Sequence, residues 1–188
     1  MFLIINEIFQ IREYFKRVKL YPDITFYSEN GIYYQNYKGT IEAIIHNSNL
    51  NILYVTSDIK DPIWNLNNDR IIPFYINKLI PLFFPFINTK VLIMTMPDLG
   101  KYHVKRSTNN VNHVYMFHAI NSIHLQYNKG AFDHYDTIFC VGPHHVNEIR
   151  KTEKVYGLNK KELIKVGYSW LEDVSMNYNE SIVNKNKI

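Results

Sequence analysis

Short apolar runs rich in β-branched and aromatic residues alternate along this chain with segments of helical length. Runs of four to six such residues are typical of strands, because helices in globular proteins are usually longer. Six runs are predicted as strands: residues 24–28, 52–56, 91–95, 113–117, 137–141 and 164–168. Continuous apolar strands indicate a parallel sheet that is covered on both faces. The pattern therefore predicts an α/β fold, with a Rossmann-like, mainly parallel sheet and helices on both faces.

The remaining segments predict how the chain is organised. Three stretches are predicted as helices: residues 37–47, 77–84 and 144–156. Residues 1–21 are predicted as an amphipathic N-terminal helix, because apolar residues recur there at helical spacing. These apolar positions are Ile4, Ile8, Ile11, Phe15 and Val18. The Rossmann-like domain is predicted over residues 22–174, and the Asn-, Lys- and Ser-rich residues 175–188 predict a polar tail or the start of a linker.

Composition and charge limit the classes of partner. With 188 residues, of which 46% are hydrophobic, the chain is long enough for one folded domain of ordinary size. Its net charge of +4 suits anionic partners, but no Lys/Arg cluster interleaved with aromatic residues indicates nucleic-acid binding. The single cysteine, Cys140, excludes an intramolecular disulfide and lies in an apolar run, which predicts a buried structural thiol.

The sequence predicts a cytoplasmic protein. The most apolar region, residues 71–87, is interrupted by three prolines and falls short of the roughly 20 apolar residues of a membrane-spanning helix. The first residues also lack the basic leader of a signal peptide. Arg12, Lys16, Arg17 and Lys19 make the second half of the N-terminal helix basic. Two interpretations of this helix stay open: a packing helix with a solvated basic face, or a peripheral contact with the anionic inner face of the cytoplasmic membrane.

Polar residues follow five of the predicted strands, at the edge where open parallel sheets bind ligands. They are Glu29, the pair Ser57 and Asp58, Asp98, His118, and the turn formed by Gly142, Pro143, His144 and His145. Because this edge is where the fold places its sites, the set predicts a polar cleft. Pro143 suits the first position of a helix, and the free N–H groups of such a first turn favour an anion.

Histidines are concentrated in the second half of the chain, where seven of the eight lie between His103 and His145. No His-Glu-x-x-His motif occurs, so no metal site is predicted. Imidazoles suit phosphate chemistry, because the charged form pairs with anionic oxygens and the neutral form accepts a hydroxyl proton. His113 lies within a strand and is predicted to be structural. His118 follows that strand and is the best catalytic candidate, with a satisfied core histidine as the alternative.

Further residues near these turns are predicted to bind phosphate or substrate. They are Ser57, Asp58, Asn121, Ser122, His124, Gly142, His144 and His145. A nucleotide-binding Rossmann domain is less favoured, because no Gly-x-Gly-x-x-Gly loop follows a predicted strand, and no cofactor is predicted.

Two blocks of sequence resemble the CDP-glycerol glycerophosphotransferase family of teichoic-acid and related surface-polymer synthesis. Residues 115–124 read Tyr-Met-Phe-His-Ala-Ile-Asn-Ser-Ile-His, and residues 129–150 read Lys-Gly-Ala-Phe-Asp-His-Tyr-Asp-Thr-Ile-Phe-Cys-Val-Gly-Pro-His-His-Val-Asn-Glu-Ile-Arg. Shorter pieces at 26–29, 54–58 and 94–102 agree, so the resemblance covers about residues 24–173. The chain has His118-Ala-Ile-Asn-Ser where the family usually has a His-Gly-Thr-Pro-type turn.

The resemblance implies the N-terminal domain of a GT-B-type fold, which carries the acceptor side and the catalytic base. His118 matches the position of that base, and Asp98 is expected to orient the acceptor or His118. A complete enzyme would transfer glycerol phosphate from CDP-glycerol to a surface glycopolymer or lipid-linked acceptor.

The resemblance also implies a partner. The chain continues for 15 residues beyond Asp173, where the donor-binding domain of the family would begin. We therefore expect the chain alone to be inactive and a separate donor-binding domain to be its partner. The alternative function is a non-catalytic α/β module that binds a glycan, a phosphate ester or a partner subunit.

Overall fold

Seven parallel strands form one open sheet in the computed structural model, which describes residues 2–175 and residue 178. The strands are β1 (Ile24–Ser28), β2 (Ile52–Thr56), β3 (Ile71–Tyr75), β4 (Val91–Met94), β5 (Asn112–Met116), β6 (Thr137–Cys140) and β7 (Glu162–Lys165). Their order in the sheet is β3-β2-β1-β4-β5-β6-β7. Helices flank the sheet, which confirms the predicted Rossmann-like α/β fold.

Helices accompany the strands among the described residues. They are α1 (Phe2–Leu20), α2 (Tyr34–Asn47), α3 (Ile80–Phe83), α4 (Ile123–Gln126) and α5 (Pro143–Tyr156). Residues 169–175 are also helical. Short 3₁₀ turns cover Gly31–Tyr33, Pro62–Asn65 and Phe84–Phe86. The predicted helix at 77–84 is reduced to α3 and the last of these turns, because Pro81 and Pro85 cannot donate backbone hydrogen bonds to a longer helix.

Strand β3 was not predicted from the sequence. It carries Pro73, and a proline removes one hydrogen-bond donor from a strand. The strand is tolerated here because β3 lies at the edge of the sheet and pairs with β2 alone. At the opposite edge, β7 begins two residues before the predicted strand at 164–168. It ends at Lys165, and the chain cannot continue as a strand to residue 168 because Gly167 adopts a left-handed φ of 74°.

Each face of the sheet has its own apolar core, because side chains alternate in direction along a strand. Phe26 packs with Tyr37 and Ile41 of α2 on one face. The next residue, Tyr27, belongs to the core of the opposite face, where Tyr14 of α1 is fully buried. Burying one such apolar side chain contributes roughly 1.5–3 kcal/mol. Helices are thereby held on both faces of the sheet.

In the first half of helix α1, the buried side is not the one that the spacing of its apolar residues predicts. Val18 is buried as expected, but Ile8 is 56% exposed. Glu7 is buried instead, because its carboxylate accepts hydrogen bonds from the backbone N–H groups of Asn77 (3.1 Å) and Leu79 (2.9 Å). These donors precede α3 and have no helical partner, so the carboxylate satisfies them.

The structure tests the prediction for the single cysteine. Cys140 is buried, and burial raises the pKa of its thiol to about 11, which confirms a structural cysteine. The predicted polar tail at 175–188 lies outside the described residues except for residues 175 and 178. Over the part of the chain that is described, no helix has the length and apolar character needed to cross a membrane.

Candidate functional site

The sheet contains one topological switch point, between β1 and β4. From these two central strands the chain proceeds outward, to β3 on one side and to β7 on the other. The loops that leave β1 and β4 therefore diverge and open a crevice at the carboxyl ends of the strands. A cleft of about 540 Å³ lies at this place. Its polar and aromatic lining includes Glu29, Tyr33, Asp98, His103, His118 and Tyr127.

His118 follows β5 and reaches the cleft half-buried. Its ring lies between two tyrosines, with centroids 5.1 Å from Tyr33 and 6.2 Å from Tyr127. Within the described residues, its Nδ1 atom is buried and has no hydrogen-bond partner. Burial lowers the pKa of His118, and a hydrogen bond between its imidazole and the backbone of Thr95 opposes this in part. The imidazole is therefore favoured in the neutral form, which can accept a proton at neutral pH.

Asp98 shares this cleft with His118. It has a φ of 59° and is the one non-glycine residue with positive φ in the described part of the chain. Aspartate tolerates this left-handed conformation better than most residues. Its N–H group donates to the carbonyl of Ala131 at 2.8 Å, and its carboxylate pairs with Lys101 at 2.8 Å. These contacts fix the carboxylate at the wall of the cleft.

Glu29 was predicted to lie at the polar edge of the sheet, but the sequence analysis assigned it no catalytic or binding role. It directly follows β1, so it lies beside the switch point, and its half-buried side chain lines the cleft. No hydrogen bond or ion pair engages its carboxylate within residues 2–175. Burial raises the pKa of Glu29, because removal from water disfavours the charged carboxylate. Its position after the first strand was visible in the sequence, but the strand order that makes this position central was not.

Ser57 and Asp58 lie at the same edge of the sheet but do not line the cleft. The Ser57 hydroxyl donates to the carbonyl of Ile76 at 2.7 Å. Asp58 accepts hydrogen bonds from the N–H groups of Gly31 (3.0 Å) and Lys60 (2.8 Å). Both side chains therefore secure turns around β2. The structure does not bring them to His118.

The residues predicted around α5 fasten one loop to that helix. Nε2 of His145 contacts the carbonyl of Asn121 at 2.9 Å, and Nε2 of His144 contacts the carbonyl of Ile120 at 3.0 Å. The two histidine rings lie 4.3 Å apart. They hold the loop that follows His118 against the start of α5, outside the cleft.

Three predicted residues remain to be placed. Gly142 is the N-cap residue of α5, and a Cβ atom there would lie 3.1 Å from Nδ1 of His144, so this ring covers the start of the helix. Ser122 precedes α4. His124, on α4, lines a separate cavity of about 250 Å³ between α4 and α5. The predicted phosphate set is therefore not gathered into one site.

The charge of the cleft is acidic rather than basic. No lysine or arginine belongs to its lining within the described residues. Lys101, beside it, is occupied by Asp98 and by the carbonyl of Lys129 at 2.7 Å. The described residues also contain no group of three or more His, Cys, Asp or Glu side chains suited to a metal ion. The arrangement suits the binding and deprotonation of a hydroxyl group better than the binding of a phosphate.

The chain was compared with protein-family models, curated proteins and solved structures. No family model, curated protein or solved structure matches the chain. The resemblance to CDP-glycerol glycerophosphotransferases therefore stays a prediction, carried by the sequence blocks around His118.

Proposed function

We propose that this chain is the acceptor-side, N-terminal half of a GT-B-type glycerophosphotransferase. The complete enzyme transfers glycerol phosphate from CDP-glycerol to a hydroxyl of a surface glycopolymer or lipid-linked acceptor. One observation supports this most: a half-buried histidine, favoured in its neutral form, lines the switch-point cleft together with a fixed carboxylate. A neutral imidazole in such a place is what general base catalysis requires.

The chemistry assigned to the cleft is proton removal. An acceptor hydroxyl bound in the cleft gives its proton to the imidazole of His118, and its oxygen attacks the donor phosphorus. The new P–O bond forms as the bond to the CMP oxygen breaks, so CMP leaves. Asp98 orients the hydroxyl or the imidazole. Because such transfer depends mainly on positioning, a fixed cleft supplies much of the effect.

The donor is assigned to a second domain. The acidic lining of the cleft disfavours a diphosphate, and no Gly-x-Gly-x-x-Gly loop follows any strand of the described residues. The partner we propose is a donor-binding domain that faces this cleft.

Release of CMP from CDP-glycerol tests this proposal. The chain alone is expected to release none above background. The same chain joined at its C-terminus to the donor-binding domain of a family member is expected to release CMP when a glycerol phosphate polymer acceptor is present. Robust turnover by the chain alone, or none by the fusion, would contradict the half-enzyme account.

A non-catalytic binding module is the second candidate. It is favoured by the same acidic, aromatic cleft, which suits a glycan that is held but not modified. Saturable glycan binding by the fusion without CMP release would support this candidate.

We further propose a cytoplasmic protein that contacts the anionic inner face of the membrane through α1. The proposal is supported by the outward apolar residues of its first half, with Ile5 59%, Ile8 56% and Phe9 57% exposed. Arg12 and Lys16 follow on the same helix and are exposed. Apolar residues beside basic ones on one helix suit a surface contact with anionic lipid.

A further inference from the structure

The cleft contains a carboxylate without a counter-ion. Asp98 is neutralised by Lys101, but Glu29 has no cationic partner among the described residues, and its side chain is half-buried. A carboxylate that is partly removed from water is unfavourable unless a positive charge or hydrogen-bond donors compensate it. Because the cleft lining offers no lysine or arginine, the missing charge is one that a ligand can bring.

Aromatic side chains also line this cleft. Tyr33 and Tyr127 flank His118, and the largely exposed Tyr102 lies at the mouth. The faces of tyrosine rings attract ammonium groups, and this attraction is strongest where water is excluded. A carboxylate in a cleft lined by tyrosines is a general arrangement for recognising a cation, whereas phosphate sites are typically built from arginine, lysine or free backbone N–H groups.

We propose that the acceptor unit bound in this cleft carries an ammonium group beside its hydroxyls, as an amino sugar or amino alcohol does. Glu29 is the counter-ion of the ammonium group, and the rings of Tyr33 and Tyr127 flank it. The cleft of about 540 Å³ is large enough for a sugar-sized unit. This specificity rests on the proposed function only in assigning the ligand to the acceptor side, because binding itself requires no donor domain.

Binding of three sugars of similar size to the chain alone tests the proposal. Glucosamine carries the ammonium group, glucose lacks it, and glucose 6-phosphate carries negative charge instead. At about pH 6, where the amine is protonated, we expect glucosamine to bind about 10-fold more tightly than glucose and glucose 6-phosphate to bind most weakly. Chemical-shift changes in ¹H–¹⁵N spectra provide the affinities and map the site to Glu29 and Tyr33.

Two variants separate the charge from the fold. Glu29→Gln keeps the size of the side chain and is expected to remove the preference for glucosamine over glucose. Glu42→Gln changes an exposed carboxylate on α2, outside the cleft, and is expected to retain it. Thermal unfolding of both variants checks that each is folded.

Equal affinity for glucose and glucosamine, tighter binding of glucose 6-phosphate, or an undiminished preference in Glu29→Gln would overturn the proposal. Absence of glucosamine binding would overturn it as well. None of these results bears on CMP release by the fusion, so the failure of this inference and the failure of the proposed function are distinguishable.

Discussion

Two histidines five positions apart have different environments. His113 is fully buried on β5: its Nδ1 contacts the carbonyl of Val111 at 2.9 Å, and its Nε2 accepts the N–H group of Ser107 at 3.3 Å. His118 leaves the same strand and reaches the cleft. Their positions in the sequence predicted this contrast, because a residue within a buried strand and a residue just beyond it meet different surroundings.

The protonation of His113 is expected to limit stability in acid. Burial, together with the positive charge of Arg106, lowers its pKa from 6.5 to about 4. The unfolded chain therefore binds a proton below about pH 6.5 that the folded chain does not bind until about pH 4, and stability falls with pH in this window. We expect the free energy of unfolding to decrease by about 2 kcal/mol between pH 7 and pH 5 through this residue alone.

Urea denaturation at these two pH values provides the measurement. His113→Gln is expected to be less stable than the wild type at pH 7 and to lose most of this pH dependence. His46→Gln, which changes an exposed histidine at the end of α2, is the matched control and should behave as the wild type does. An unchanged pH dependence in His113→Gln would assign the effect to other groups.

At the scale of elements, local patterns predicted β1 and β2 to the residue, whereas long-range contacts decided the departures. The buried side of α1 follows from Glu7, whose partners lie 70 and 72 positions away. The segment after β7 is held on α2 by contacts of the same kind. Lys38 pairs with Asp173 at 2.8 Å, and Ser169 packs directly on Gly39. The hydrophobic periodicity of either segment does not predict these contacts.

The contact at Gly39 leads to a prediction about the segment after β7. A Cβ atom on Gly39 would lie 2.6 Å from the Cβ atom of Ser169, so Gly39→Ala must displace the segment. Tyr168 would move with it, and its hydroxyl donates to the carbonyl of His118 at 3.1 Å. We expect faster amide hydrogen exchange in residues 166–173, although alanine favours helix α2 by up to about 1 kcal/mol.

The double variant Gly39→Ala/Ser169→Gly is the control for this experiment. It removes the clashing side chain and should return the exchange of residues 166–173 toward that of the wild type. Slow exchange in the single variant would show that the segment does not depend on the close approach.

For the whole molecule, strand order and long-range side-chain contacts together decide which predicted site residues meet. His118 and Asp98 follow β5 and β4, at or next to the switch point, and they share the cleft. Gly142 follows β6, two strands beyond β4, and lies outside the cleft. Ser57 and Asp58 follow β2, which is as near the switch point as β5, but their side chains are bound to the turns around β2. Because strand order and such long-range contacts do not arise from local sequence, the prediction could place these residues at the right edge but not in the right cleft.

The orientation of α1 leads to a prediction about membrane binding. We expect the chain to float with vesicles that contain anionic lipid, and to be released by high salt, because surface attraction is screened. Phe9→Glu is expected to weaken binding at low salt without affecting the fold, since this side chain is 57% exposed. Glu42→Gln provides a control on another helix. Binding that persists in high salt and alkaline wash would contradict a peripheral contact.

We propose that His118 removes the proton of the acceptor hydroxyl, and the rate of CMP release by the fusion with a donor-binding domain tests this role. His118→Ala is expected to lower this rate about 100- to 10,000-fold, the usual effect of losing a general base. His124→Ala and His144→Ala change histidines outside the cleft and are expected to retain most of the activity. Full activity of His118→Ala, with loss in one of the other two variants, would contradict the account and assign the base elsewhere.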